Sequence, residues 1–265
     1  MTNEWRGKWA LVTGASAGIG QAIARELAAG GTNLILTARR LERLEQFAAE
    51  LRVKFQVNCA VIPADLTQPE APGQILEFTA EKSLPVDLLI NNAGFGQYGE
   101  VAMVESPRLL EMIQVNCSAM VHLTRLFLPQ MIARRHGDIL ILASTASFQA
   151  VPYISVYAAT KAFDLFFAEG LAEEVRPHGI RVCALCPGST ESEFHQVAGQ
   201  DHLKFAKKHR ETAEKVARVG LAALAAGKSS VISGGANTFN AIAQRLVPRR
   251  LVTRIAGKMF RPTQN

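Results

Sequence analysis

Disulfides, membrane spans and export signals are all missing from this sequence. Four cysteines in 265 residues are too sparse for the stapled framework of a small secreted domain. No apolar run reaches the roughly 18 residues of a membrane-spanning helix, and the opening MTNEWRGKWALVTG has neither a long apolar segment nor a small-residue cleavage site. A cytoplasmic protein is therefore expected, with peripheral membrane contact left open. Acidic residues are absent from 215–265, which hold nine Lys or Arg, whereas residues 1–214 carry a net charge of −3. The overall +6 thus belongs to the tail. That basicity is neither interleaved with aromatics nor joined to a nucleic-acid reader fold, so no nucleic-acid partner is expected. No internal repeat, low-complexity tract or linker precedes residue 230.

What remains is a chain with 48% apolar residues, long enough to bury one large core. Short apolar runs at 9–12, 33–37, 57–62, 86–90, 139–143 and 180–185 lack polar alternation. They read as parallel strands covered on both faces. Helical periodicity fills the gaps at 19–29, 41–52, 107–134 and 155–176, each long enough for a right-handed crossover. The fold class is α/β, a doubly wound parallel sheet with ligands at the carboxyl ends of its strands.

After the first strand comes TGASAGIG, with Gly14, Gly18 and Gly20 leading into a helix near Ile19. Glycines permit a tight turn and close approach to a pyrophosphate, and the helix N-terminus offers free N–H groups. A purely structural turn would look the same. An NAD-preferring protein carries an acid at the end of the second strand, but position 38 is Ala and Arg39 and Arg40 follow, with Ser16 in the glycine turn. Guanidinium groups suit a 2′-phosphate, which favours NADP(H) over NAD(H). The competing reading makes Arg39 and Arg40 the start of a solvated helix face continuing through Arg43.

Tyr157 and Lys161 in YAATK share a helix face, close enough for the ammonium to favour the phenolate. Alone the pair is an everyday feature of exposed helices. Ser144, thirteen residues upstream, ends the fifth strand, where the ligand should lie. Asn116 sits inside the expected 107–134 helix despite poor propensity, and NNAG at 91–94 follows the fourth strand.

The order and spacing of TGxxxGxG, NNAG, the Asn of VN, a Ser thirteen before YxxxK, and PG after the sixth strand resemble the short-chain dehydrogenase/reductase superfamily over residues 8–192. The resemblance implies a Rossmann-fold domain over 1–236, with a substrate lid at about 189–212; residues 237–265 lack the short glycine-rich ending of the family's soluble tetrameric members and read as a basic amphipathic extension. It implies Tyr157 as general acid, Lys161 holding the nicotinamide ribose and lowering the Tyr pKa, Ser144 polarising the carbonyl and Asn116 holding a relay water. Cofactor contacts would come from Gly14, Ser16, Gly18, Ile19 and Gly20, from Arg39 and Arg40, and from Asp65 and Leu66 at the adenine. Asn91, Ala93 and Gly94 would line the adenosine side. Pro187, Gly188 and Thr190 would border the nicotinamide, and Ser192 stands where the family often has Thr. The implied activity is NADP(H)-dependent interconversion of a hydrophobic ketone or aldehyde, such as a 3-oxoacyl or steroid-like compound, and its alcohol. A homo-oligomer, dimer or tetramer, is the implied assembly. The alternative is a non-catalytic NADP(H) sensor or scaffold, against which the intact Asn116, Ser144, Tyr157 and Lys161 argue.

Other signals carry less. Cys183 and Cys186 have C-x-x-C spacing, but an offset of three in a strand sends the side chains to opposite faces, so core cysteines and no metal are expected. His195 lacks a partnered nucleophile and reads as a surface histidine. In the tail, Phe239, Ile242, Ala243, Leu246 and Val247 follow helical spacing, and then Leu251, Ile255 and Met259 repeat every fourth residue beside Arg250, Arg254 and Lys258. Such a segment suits an anionic membrane, the protein's own body, a cover over a substrate tunnel or a dimer surface.

Overall fold

The computed structural model describes residues 3–199 and 210–262. Its centre is a sheet of seven strands: β1 (Trp9–Thr13), β2 (Asn33–Ala38), β3 (Cys59–Pro63), β4 (Leu88–Asn91), β5 (Gly137–Leu142), β6 (Ile180–Cys186) and β7 (Ser230–Ile232). All pair in parallel, in the order β3-β2-β1-β4-β5-β6-β7. The winding reverses between β1 and β4, which opens a crevice at the carboxyl edge. Crossovers are made by α1 (Gly18–Ala29), α2 (Leu41–Phe55), α3 (Ala71–Glu81), α4 (Ser106–Ile113), α5 (Met120–Arg134) and α6 (Ser155–Val175).

Alternation along each strand feeds two apolar layers. In β1, Ala10 and Val12 join Ile23, Leu27 and Leu44, whereas Leu11 joins Ile75, Leu123 and Phe127 on the other face. Covered on both sides, the strands have no use for polar alternation, which is why they read as continuous apolar runs. The same rule separates Cys183 from Cys186, one in each layer. All four cysteines are free, and burial pushes each of these two thiols up to about 12.

The expected single helix over 107–134 is instead α4, a π-helical turn (Gln114–Ala119) and α5. The wider turn is how the chain accommodates Asn116 in mid-helix. The apolar pattern leaves three further elements unmarked. α3 opens with Ala-Pro-Gly, which reads as a turn, although its proline sits in the first turn, where no N–H is needed. The Ala213–Ala225 helix packs along α1 and adds the Arg218–Glu26 ion pair. β7, of three residues, is too short to register.

The tail folds as a helix (Gly235–Ala243), a 3-10 turn (Gln244–Leu246) and a final helix (Arg249–Phe260). The inner side of the final helix rests on the body. Ala256 is buried in the cluster that also holds Met112, Val151, Ile154, Tyr157 and Ala158, Phe260 packs against that cluster, and the Tyr98 hydroxyl donates to the Phe260 carbonyl at 2.7 Å. Of the four readings of the tail, docking on the protein itself accounts for this inner side.

Ahead of β1, Trp5 is 1% exposed and its indole N–H donates to Asp138 Oδ2 at 2.7 Å. Asp138 also accepts from Arg181 Nη2 at 2.8 Å, and Arg181 in turn pairs with Glu4. The N-terminal segment is thereby sewn to β5 and β6. Trp5→Ala is expected to cost about 3–5 kcal/mol of folding stability, read by urea unfolding. A loss under 1 kcal/mol (~1) would show that the segment is dispensable.

Candidate active site

The glycine turn is fixed from below. Thr13 Oγ1, at the end of β1, donates to the Ile90 carbonyl at 3.1 Å and accepts from the backbone N–H of Asn92 and of Ala93, each at 2.9 Å. The Asn92 amide donates to the Thr13 carbonyl at 2.8 Å and to that of Gly14 at 3.3 Å. These bonds clip β1 to β4 at the point where the winding reverses. Gly14 has φ +67°, and a Cβ at Gly20 would collide with the Asn92 amide and the Gly14 carbonyl, so neither position accepts a side chain. Asn92 is the residue that sequence reasoning missed here, although NNAG held it in plain view.

α1 begins at Gly18 with Ala17 in the cap position, no side-chain cap and no acid in its first turn. Its leading N–H donors are therefore left for an external acceptor, preferably an anion. They border a cavity of about 550 Å³ also lined by Ser16, Arg43, Ser192 and Glu193. Ser16 Oγ accepts from Arg40 Nη2 at 3.2 Å. Glu193 bridges Arg40 at 2.9 Å and Arg43 at 2.7 Å. The Arg43 hydrogen bond, helped by Arg40, holds the Glu193 carboxyl below its ordinary range against the effect of partial burial. Arg39 is exposed and forms no ion pair among the described residues. Asp65 is half-buried, its carboxylate accepting from the Thr67 N–H at 3.1 Å, and Leu66 is buried beside it. The Asn91 amide donates to Thr124 Oγ1 at 3.0 Å, while its Oδ1 is buried with no partner among the described residues. An uncapped helix start and an orphaned acceptor fit a nicotinamide dinucleotide.

At the chemistry end, Ser144 follows β5 and caps a 3-10 turn (Thr145–Phe148), its Oγ accepting from the Ala146 N–H at 3.1 Å. Ser147 locks that turn to α6, accepting from the Ser144 N–H at 3.2 Å and donating to the Lys161 carbonyl at 2.6 Å. Tyr157 and Lys161 are both buried in α6. The Lys161 ammonium donates to the Leu142 carbonyl at 2.7 Å and to Asp164 Oδ2 at 2.9 Å. Asp164 is 1% exposed, and nothing in the sequence marked it. Asn116 Nδ2 donates to the Phe95 carbonyl and to Thr160 Oγ1, each at 3.0 Å, and Oδ1 accepts from the Phe95 N–H at 3.1 Å. Gly94 lies where a Cβ would be 3.0 Å from Asn116 Oδ1 and 3.4 Å from Lys161 Nζ.

Electrostatics here is set by dryness. Burial raises the Tyr157 phenol; Lys161 and a hydrogen bond with Ser144 pull it down, Asp164 pushes it up, and the net direction is upward. The ammonium acts in the direction the sequence suggested, but burial outweighs it. Burial works to lower Lys161, yet Asp164 foremost, with Tyr157, holds the ammonium above its ordinary value.

The loop after β6 closes the site. Pro187 accepts from the Thr145 N–H at 2.9 Å, and Thr190 Oγ1 donates to the Gly188 carbonyl at 3.1 Å. A Cβ at Gly18 would come within 2.9 Å of Ser192 Cβ. Phe194, in a short helix (Phe194–Val197), sets its ring 5.2 Å from that of Tyr157. His195 belongs to the same short helix. Of the expected lid, residues 200–209 lie outside the described residues; its two ends meet where Thr190 bridges Glu211. No cluster of three or more metal-ligating side chains occurs among the described residues.

Residues 8–203 match the family model of the short chain dehydrogenases. The bovine very-long-chain 3-oxoacyl-CoA reductase is 35% identical over 187 residues, which is 69% of this chain and 59% of that protein. The chain therefore spans about three fifths of that relative. A short-chain dehydrogenase from Sphingobium yanoikuyae, solved with NADPH, superposes with TM-score 0.81 at 29% identity, over 97% of this chain and 96% of its own. The bulky-bulky ketone specific alcohol dehydrogenase from Comamonas testosteroni gives TM-score 0.77 at 28% identity, over 97% and 95%.

The buried pair makes a direct prediction. Asp164→Ala leaves the Lys161 ammonium facing a single carbonyl, at an expected cost of about 3–5 kcal/mol in urea unfolding. Asp164→Asn, which still accepts a hydrogen bond, should cost less. Native stability in Asp164→Ala would mean that the pair contributes nothing.

Proposed function

Because this chain belongs to the short-chain dehydrogenases, oxidoreductases acting between carbonyl and alcohol groups, we propose that it reduces a lipophilic ketone with NADPH and that Tyr157 supplies the proton. One observation carries the reading: Asn116, Ser144, Tyr157 and Lys161, each less than a tenth exposed, gather at the carboxyl edge beside an uncapped helix start. The nicotinamide supplies the hydride.

The chain supplies the rest. A carbonyl oxygen gaining negative charge is stabilised by donors already in place, and the Ser144 and Tyr157 hydroxyls are such donors. The phenol proton passes to that oxygen, and the phenolate left behind is stabilised by the Lys161 ammonium. Burial keeps the phenol protonated, so the proton to be given is in place when the carbonyl arrives, and the Lys161 ammonium offsets part of the cost of releasing it. Asn116, its amide fixed on the Phe95 backbone, keeps a spare lone pair on Oδ1 for the relay water. Pro187, Gly188, Thr190 and Ser192 border the nicotinamide side, and Gly14, Ser16, Gly18, Ile19 and Gly20 the pyrophosphate. Asp65, Leu66, Asn91, Ala93 and Gly94 take the adenosine side.

NADPH is preferred over NADH because Ala38 brings no acid to the ribose, while Arg39 forms no ion pair among the described residues and Arg40 reaches Ser16. The substrate is lipophilic because the cluster around Tyr157 is apolar, with Phe95, Tyr98, Met112, Val151 and Ile154. A 3-oxoacyl thioester or bulky ketone, as in the names of two relatives, fits that wall. A homo-oligomer accounts for α6, whose Phe163 and Phe166 are exposed.

Tyr157→Phe should bind NADPH normally, by fluorescence titration, and lose about 10²–10⁴-fold in NADPH-dependent turnover of a 3-oxoacyl thioester or bulky ketone. Undiminished turnover would rule out Tyr157 as the acid. Arg39→Asp should shift the NADPH-to-NADH ratio of kcat/KM by about tenfold or more. An unchanged ratio would remove Arg39 from 2′-phosphate recognition.

A further inference from the structure

The outward side of the Arg249–Phe260 helix is not explained by folding. Its inner side, Ala256 and Phe260, already rests on the body. Facing solvent are three adjacent pairs, Arg250 with Leu251, Arg254 with Ile255 and Lys258 with Met259, all exposed. A spacing of four stacks them into two lines, one cationic and one apolar. Leu251, Ile255 and Met259 keep 47, 52 and 54% of their surface in water. Just upstream, Phe239, Ile242 and Leu246 are exposed as well. An apolar strip held in water marks an interaction surface.

Charge narrows the partner. Residues 215–265 contain no acid, and among the described residues Arg250, Arg254 and Lys258 form no ion pair. A second copy docking by two-fold symmetry would set these cations against themselves. A surface of anionic lipid answers both lines together, taking apolar side chains at the headgroup boundary and offering phosphates to the cations.

We propose that this helix face seats the protein on an anionic lipid surface, with Leu251, Ile255 and Met259 inserted and Arg250, Arg254 and Lys258 at the lipid phosphates. The inner side of the same helix walls the cluster around Tyr157. A lipophilic ketone held in the bilayer therefore has a short route to the site; this consequence rests on the carbonyl-reductase reading, whereas the docking does not.

The test is sedimentation of the full chain with vesicles of phosphatidylcholine alone or mixed with phosphatidylglycerol. Binding is expected to the mixed vesicles and to weaken with salt. The triple variant R250Q/R254Q/K258Q should lower partition about a hundredfold, and L251S/I255S/M259S about tenfold or more. Both should turn over a water-soluble ketone at the native rate. Absent binding, equal binding to both vesicles, or indifference to both variants overturns the proposal. So does a native dimer, by light scattering, that becomes monomeric in L251S/I255S/M259S while ignoring vesicles, since a second copy then covers the face. Vesicle binding without turnover of any ketone would count against the reductase reading and leave the docking intact.

Discussion

The ammonium of Lys161 is a costly charge to hold. Removing an ammonium from water costs several kcal/mol (~) even after relaxation, and this one is 5% exposed. It persists because two acceptors, the Leu142 carbonyl at the end of β5 and the Asp164 carboxylate one helical turn on, face it together. That arrangement constrains what surrounds it. β5 must end where its last carbonyl turns inward, α6 must start early enough to bring Tyr157 and Lys161 over that end, and the loop after β4 must pass with glycine at position 94. The site is the place where these three demands are met at once.

The same constraint explains the break in the long helix opposite. A regular α-helix over 107–134 has no reason to place an amide against the Phe95 backbone. The π turn at Gln114–Ala119 carries Asn116 there, where it takes both polar groups of Phe95 and the Thr160 hydroxyl of α6. One side chain thus ties the loop after β4 to the helix bearing Tyr157. The irregular turn costs some hydrogen-bond geometry, and the three bonds of Asn116 offset it.

Most of the fold was legible in the sequence because both faces of the sheet are covered: the strands read as unbroken apolar runs and the crossovers as 3.6-residue periods. Ends differ by a residue or two, as for β4, expected at 86–90 and found at Leu88–Asn91. The glycine turn and YxxxK were legible because close approach and helix spacing leave marks in residue type. Asp164 left none, since an acid three residues after a lysine looks like any surface pair until burial is known. The Glu193 bridge was hidden for another reason: its partners, Arg40 and Arg43, lie about 150 residues away in the chain. In the tail the two stripes were readable, but which residues face inward depends on where the helix lands.

Cofactor end and chemistry end place opposite demands on charge. At Lys161 and Asp164 the charges are dry and fixed, so each is strong and hard to exchange. At Arg40, Arg43 and Glu193 they are two-fifths or more exposed, and exposed pairs contribute only about 0–1 kcal/mol. An anion arriving from solvent can therefore exchange for Glu193 at little cost, whereas nothing cheaply displaces Asp164. Glu193 is joined directly to Phe194, whose ring lies on that of Tyr157. The exposed ion pairs of Glu193 and the ring that lies on Tyr157 are neighbours on one short segment, so whatever moves Glu193 from its arginines also acts on the packing over the Tyr157 phenol.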